Sequence, residues 1–336
     1  MGTRGVRGAA LLAAATAMTL AAGCSGAAGA AGAAGPPRVE KPDLTVAVVP
    51  STDAAGFFVA LYQGLFKAQG LHVTFVPATS SKTVIADQVK GVYDITGGNY
   101  VSYIQAQQKG AANLDIFAEG SVMEPGTQGI YTMPNSPIRT LADLKGRTIA
   151  INAPNNILYL LAASILTEHG IPPKQVHFIT DVPFPEMPAE LKAGTIDAAA
   201  LPEPFASIAE VTDGAVPLVD LDQGATTGFP VSGFVTTKQW AAKYPHTLAA
   251  FYKAFEEGQQ IADTERTEVE SAMEDLPAPL GLSKQTASIM ALNSYPVSTG
   301  PLGSVDKLRL GRLVNAMRQF LAFGDFNIDS MLINGG

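Results

Sequence analysis

Patterns of strand and helix alternate along most of this 336-residue chain, and this alternation limits the folds that it can adopt. The β-branched run at residues 44–49 ends at Pro50, and a helical stretch of apolar residues then ends before Gly70, a suitable C-cap. Strand–helix units of this kind recur to residue 118, and a second series covers residues 126–237. Repeated units of this length predict an α/β fold in which mainly parallel sheets are flanked by helices.

The length of the chain indicates two lobes. Residues 43–336 are more than a single hydrophobic core usually serves, and two series of strand–helix units are present. We predict that residues 43–125 and 241–336 form the first lobe and that residues 126–240 form the second. From Pro245 onward the pattern is helical only, and we assign these helices to the first lobe.

The first 42 residues carry the pattern of a secreted lipoprotein. Two arginines precede an apolar run at residues 9–22, which is shorter than the roughly 20 residues that span a bilayer. The run ends in a sequence that resembles a bacterial lipobox, in which the cysteine is acylated. We predict a signal peptide over residues 1–23, lipidation of Cys24 with an acyl group such as palmitate, and a flexible tether over residues 24–42. An ordinary cleaved signal with a coincidental cysteine is the alternative.

The charge, the single cysteine and the missing catalytic motifs exclude several classes of function. The formal net charge is −8 and no basic stripe is present, which argues against nucleic-acid binding. Cys24 is the only cysteine, so the chain has no disulfide framework and no cysteine-ligated metal site. The HExxH, P-loop and Gly-x-Ser-x-Gly motifs are missing, and the four histidines are scattered. We therefore expect no catalytic residue, no metal and no cofactor.

Four stretches of the sequence carry a family resemblance in the same order along the chain. They cover residues 56–73, 136–152, 188–204 and 233–245, and the second contains the sequence SPIRTLADLKG. Together they resemble ABC-transporter solute-binding proteins of the nitrate, sulfonate, taurine, bicarbonate and thiamine-pyrimidine group. The resemblance implies a type II periplasmic-binding fold, in which two lobes close by a hinge around a small organic ligand. It also implies a monomer, anchored by its lipid at the extracytoplasmic face of the bacterial cell membrane, that delivers ligand to the permease subunits of an ABC transporter.

Two other functions stay open on the same fold. A lipoprotein of this kind can present its ligand to a sensor or receptor instead of an importer. An enzyme of pyrimidine or vitamin metabolism is the other alternative, although the enzymes of this fold carry a cysteine cluster and this chain has only Cys24. We therefore expect binding without turnover.

Candidate ligand contacts are the residues that follow the carboxyl ends of the predicted strands, where helix N-termini offer free N–H groups. They are Thr52, Asp53, Phe57, Thr79, Ser80, Gly97, Gly98, Asn99, Tyr100, Asn152, Asn155, Phe184 and Glu203. N-capping alone would also explain Thr52, Ser80 and Asn155, and the aromatic residues would equally suit a core. Asp53 and Glu203 oppose an anion, which favours a pyrimidine-like ring with N–H donors over a sulfonate-like ligand.

Overall fold

The computed structural model describes residues 38–293 and 303–333, without the side chains of residues 292 and 293. The predicted signal peptide at residues 1–23, the lipidated Cys24 and most of the tether lie outside the described residues. Within the described ranges, no helix is both long enough and apolar enough to cross a membrane.

The first sheet contains five strands in the order β2-β1-β3-β10-β4. Their bounds are Asp43–Val48 for β1, His72–Pro77 for β2, Ile95–Asn99 for β3, Leu114–Val122 for β4 and Pro230–Thr237 for β10. β1 is parallel to β2 and β3, whereas β10 is antiparallel to both of its neighbours. Four strands therefore run in one direction and β10 runs against them, so the sheet is mixed.

The second sheet repeats this plan with five strands in the order β7-β6-β8-β5-β9. Their bounds are Gln128–Thr132 for β5, Thr148–Ala150 for β6, His177–Ile179 for β7, Ala198–Pro202 for β8 and Val216–Asp220 for β9. Here β5 is the strand that runs against the others. The sequence analysis did not predict β9, whose run contains Pro217; a proline fits only because β9 is an edge strand.

Helices cover the sheets in the predicted order. Their bounds are Ala55–Tyr62 for α1, Leu65–Ala68 for α2, Ser81–Val89 for α3, Tyr100–Gln108 for α4, Ile157–Glu168 for α5, Met187–Ala193 for α6, Phe205–Ile208 for α7, Lys238–Lys243 for α8, Pro245–Thr264 for α9, Arg266–Glu274 for α10, Lys284–Asn293 for α11 and Lys307–Phe320 for α12. The single helix predicted up to residue 69 is wrong. Gly64 has a left-handed backbone with φ of 76°, and this separates α1 from α2.

Two large apolar clusters form the core. One is rich in phenylalanine, with Phe57, Phe234 and Phe251 packed between the first sheet and the helices α1 and α9. The other is continuous across both sheets, since it contains Ile104 of α4 and Leu160 of α5. The pairing of β10 with β3 and β4 places residues 230–237 in the first sheet. The lobe borders predicted at residues 126 and 240 stay predictions.

Candidate ligand-binding cavity between the two sheets

A small cavity lies where the loops of the two sheets meet. Its walls come from the loop after β1, the N-termini of α3, α4 and α5, and the ends of β5, β8 and β10. Its free volume is about 30 Å³, which exceeds the roughly 10–15 Å³ that one ordered water needs. Pockets for larger ligands measure roughly 300–1,000 Å³, so such a ligand would enter only if the loops moved apart.

Six of the predicted contact residues line this cavity: Asp53, Gly97, Gly98, Asn99, Asn152 and Phe184. The strand β3 enters α4 through the two glycines and Asn99, whose Oδ1 accepts from the Ser102 N–H at 3.0 Å and caps the helix. A Cβ on Gly98 would lie 2.1 Å from Ser81 Oγ, so the close packing of the two helix starts requires glycine there.

The other seven predicted residues do not line the cavity, and two of these are aromatic. Phe57 and Tyr100 are fully buried in the core, as aromatic residues at helical spacing usually are. The Phe57 ring lies 5.6 Å from that of Phe234 and packs among four further phenylalanines. Burial between sheet and helices therefore accounts for both residues.

The remaining five lie behind or beside the cavity wall. Ser80 caps α3 by accepting from a backbone N–H in the first turn, as the capping alternative predicts. Asn155 is exposed, and Thr79 is exposed with only its carbonyl facing the second sheet. Thr52 is buried against Glu203, whose carboxyl group accepts from the N–H and hydroxyl of Ser207 in the following helix α7. These five are placed by capping, local bonding or exposure.

Five further polar residues line the cavity: Ser51, Ser81, Gln128, Asn156 and Ser232. Ser51, Ser81 and Asn156 lie in loops that the sequence predicts at this edge, whereas Gln128 and Ser232 were missed. Ser51 and Ser81 are direct neighbours of predicted residues. Gln128 and Ser232 lie at the beginnings of β5 and β10, opposite Pro202 and Asn99 in the strand register. Because β5 and β10 run against their neighbours, their beginnings lie at the same edge as the carboxyl ends of β8 and β3. Only knowledge of strand direction would have identified these two residues.

Burial raises the pKa of both acidic groups at this edge of the sheets. It raises the pKa of Asp53 to about 6, although hydrogen bonds from Ser51, Ser121 and Gln128 act in the opposite direction. Burial likewise raises the pKa of Glu203 to about 8 against the hydrogen bonds of Ser207. Among the described residues that line the cavity, none is Lys, Arg or His. The polar wall of the cavity therefore consists of one carboxyl group, amides, hydroxyls and helix N-termini.

Hydrogen bonds join the loops and helices of the first sheet to those of the second. The Thr52 N–H donates to the Glu203 carbonyl at 3.0 Å. Asn152 Nδ2 donates to the Thr79 carbonyl at 3.1 Å. In a third bond of 2.7 Å, Nε2 of Gln105 in α4 donates to the backbone carbonyl of Asn155. Together they hold the cavity closed from both sides.

The sequence and the fold are similar to those of known proteins. A model of the NMT1-like family matches residues 38–274, which is most of the chain. The chain belongs to the NMT1-like family. It is 29% identical over 237 residues to the bicarbonate transport ATP-binding protein CmpC of Synechocystis, an alignment that covers 64% of this chain and 34% of CmpC. The chain thus spans about a third of the length of the relatives that it matches first in sequence.

Solved structures confirm the predicted fold of this family member. The alkanesulfonate-binding protein SsuA of Xanthomonas axonopodis, bound to MOPS, superposes with a TM-score of 0.73 at 18% identity and covers 85% of this chain and 94% of SsuA. The periplasmic nitrate-binding protein NrtA of Synechocystis superposes with a TM-score of 0.59 at 19% identity, over 71% of this chain and 67% of NrtA. The two-sheet architecture is therefore that of the periplasmic-binding proteins.

Proposed function

We propose that this member of the NMT1-like family is an extracytoplasmic solute-binding protein that captures a small organic molecule for import by an ABC transporter. The observation that carries the proposal is the polar cavity, to which the loops of both sheets contribute. The similarity to proteins named for sulfonate binding, nitrate binding and bicarbonate transport supports the same class of function.

The hydrogen bonds between the sheets provide a means of capture. In an open form the Thr52 N–H and the Asn152 amide would face water, and the cavity would be wide enough for a solute to enter. A solute that contacts both walls adds binding energy only in a form in which the loops of both sheets close around it, and so it shifts the population toward that form. The closed form then presents a different surface to a permease than the open form does.

The proposal includes attachment to the membrane through lipid on Cys24, behind a signal peptide of residues 1–23. Changing Cys24 to Ala should move the protein from the membrane fraction to the soluble fraction, and the mass of the N-terminal peptide should fall by the acyl groups. An unchanged membrane fraction would contradict the anchor. We further propose a monomer, which light scattering behind size-exclusion chromatography would test.

Binding without turnover is the proposal for the chemistry. The described residues that line the cavity include no histidine, and the only cysteine of the chain is Cys24. A pyrimidine-synthesising or vitamin-synthesising enzyme would convert its solute, whereas a binding protein should release it unchanged. Mass spectrometry of the solute before and after long incubation distinguishes the two. Presentation to a sensor or receptor is the remaining alternative, and it predicts normal uptake of the solute when the gene is deleted.

The test of the proposed function is native mass spectrometry of the purified full-length protein, followed by uptake measurements. We expect a copurified solute of low mass with one copy per protein. Cells that lack the protein should then take up this solute more slowly, and the wild-type gene should restore the rate. A protein that carries no solute and binds none from a metabolite extract would contradict the proposal.

A further inference from the structure

One buried polar atom in the cavity has no partner. Gln128 is only 2% exposed, lines the cavity and has no hydrogen bond to its side-chain carbonyl Oε1. Its side chain also acts as a donor toward the Asp53 carboxyl group and so lowers the pKa of Asp53, which places the amide nitrogen on the side of Asp53. The orientation of the amide is thereby fixed, with the nitrogen toward Asp53 and Oε1 left as a free acceptor. A buried acceptor without a partner is costly, so it points to a donor that the ligand supplies.

The surroundings of Asp53 also leave this carboxylate suited to a donor. Two hydroxyl groups bond it, Ser51 Oγ to Oδ2 and Ser121 Oγ to Oδ1, both at 3.2 Å. Ser232 bonds the Asp53 backbone carbonyl at 2.9 Å instead. An ionised carboxylate accepts about four hydrogen bonds. Asp53 and the free Oε1 of Gln128 therefore form one acceptor wall that reaches the cavity from both sheets.

Donor groups line the cavity as well. The helices α3, α4 and α5 all begin at the cavity, through Ser81, Asn99 and Asn156. Ser81 Oγ accepts from the backbone N–H of Asn99 at 2.8 Å and from its side-chain amide at 3.0 Å, which leaves the proton of the hydroxyl to donate. Three helix N-termini of this kind favour an acceptor or negatively charged group.

We propose that Gln128 and Asp53 are the specificity-determining residues of the cavity and that they select a small dipolar solute. The N–H donors of such a solute, from an amine or an amino-heterocycle, bind Gln128 Oε1 and the Asp53 carboxylate. Its carbonyl, ring nitrogen or acidic group lies at the starts of α3, α4 and α5. Bare anions without N–H groups leave Oε1 unbonded and face the carboxylate, so they are rejected. This inference rests on the proposed function, because it concerns the same cavity.

Two matched pairs of probes test the requirement for N–H groups by isothermal titration. One pair is 2-aminoethanesulfonate and ethanesulfonate, and the other is 4-aminopyrimidine and pyrimidine. We expect the amino member of at least one pair to bind the full-length protein about 10-fold to 100-fold more tightly than its partner, since an unpaired buried acceptor is costly. Nitrate, bicarbonate and ethanesulfonate should all bind more weakly than the amino probe that the protein prefers.

Variants assign this preference to named residues. Gln128→Met keeps the length of the side chain but removes its acceptor, and it should reduce the preference for the amino probe to less than about threefold. Gln259→Met is the matched control, because Gln259 is also fully buried with an unpartnered Oε1 but lies away from the cavity. The Gln259→Met variant should prefer the amino probe as strongly as the wild type does. Asp53→Asn keeps the shape of the carboxyl group and should weaken binding of the amino probe, with thermal unfolding as the check of folding.

The outcomes separate this inference from the proposed function. Tight binding of ethanesulfonate, nitrate or bicarbonate, equal to that of the amino probes, would overturn the inference and leave a solute-binding protein. An unchanged preference in Gln128→Met would overturn it as well. A copurified solute without any N–H group would also overturn the inference and leave a solute-binding protein. If the protein binds neither a probe nor any solute from an extract, the proposed function itself fails.

Discussion

The buried carboxyl group of Glu203 predicts a specific dependence of stability on pH. Glu203 is fully buried, and its pKa of about 8 lies well above the ordinary 4.5. The folded protein therefore retains a proton that the unfolded chain releases, so its contribution to stability is complete below pH 4.5 and is lost as the pH rises through 8. At about 1.4 kcal/mol per pH unit, with a smaller slope close to each of the two pKa values, the loss between pH 5 and pH 8 is about 3.5 kcal/mol. Glu203→Gln has no proton to lose and can keep a hydrogen bond to Ser207.

The assay is urea denaturation of the wild type and Glu203→Gln at pH 5, 6.5 and 8. We expect the difference in free energy of unfolding to shift in favour of the variant by about 3.5 kcal/mol over this range, because other titrating groups are common to both proteins. Glu186→Gln, an exposed carboxyl group of the second series, is the control and should stay within about 0.5 kcal/mol of the wild type. A difference between Glu203→Gln and the wild type that does not change with pH would refute the reasoning.

Three further substitutions test packing and closure. A Cβ on Gly233 would lie 2.4 Å from the buried ring of Tyr100, so Gly233→Ala should lower the free energy of unfolding by about 1–3 kcal/mol in urea denaturation. Gly311→Ala in α12 has free space around it and should stabilise the protein by about 0.5–1 kcal/mol; equal effects of the two changes would contradict the packing. Asn152→Ala removes the hydrogen bond to the Thr79 carbonyl, which should destabilise the closed form by about 1 kcal/mol. Stopped-flow measurements should therefore show that the solute dissociates about fivefold faster. An unchanged dissociation rate would argue against closure through this bond.

Much of the fold follows from local sequence patterns. The strand predicted at residues 44–49 agrees with β1 within one residue, and the helical pattern predicted from Pro245 begins where α9 begins, because both patterns have clear ends. The strand β9 escaped prediction because Pro217 interrupts its apolar run and Asp220 ends it three residues later. The break at Gly64 escaped because a single glycine inside an apolar helical pattern is compatible with a continuous helix.

The candidate site could be predicted only in part. The loop containing Gly97, Gly98 and Asn99 was identified because glycines between strand and helix are visible in the sequence. Gln128 was not, because its place at the cavity depends on the direction of β5 in a sheet whose strand order is non-local. Phe57 was assigned to the site although it lies in the core, since sequence position does not reveal which face of a helix meets the sheet.

The central claim is that solute binds between the two sheets, and a crystal structure of the protein with its copurified solute tests it most directly. We predict electron density for the solute in the cavity. The solute should contact both Asp53, in a loop of the first sheet, and Gln128, in the second sheet. Solute held elsewhere, or touching the loops of one sheet alone, would contradict it.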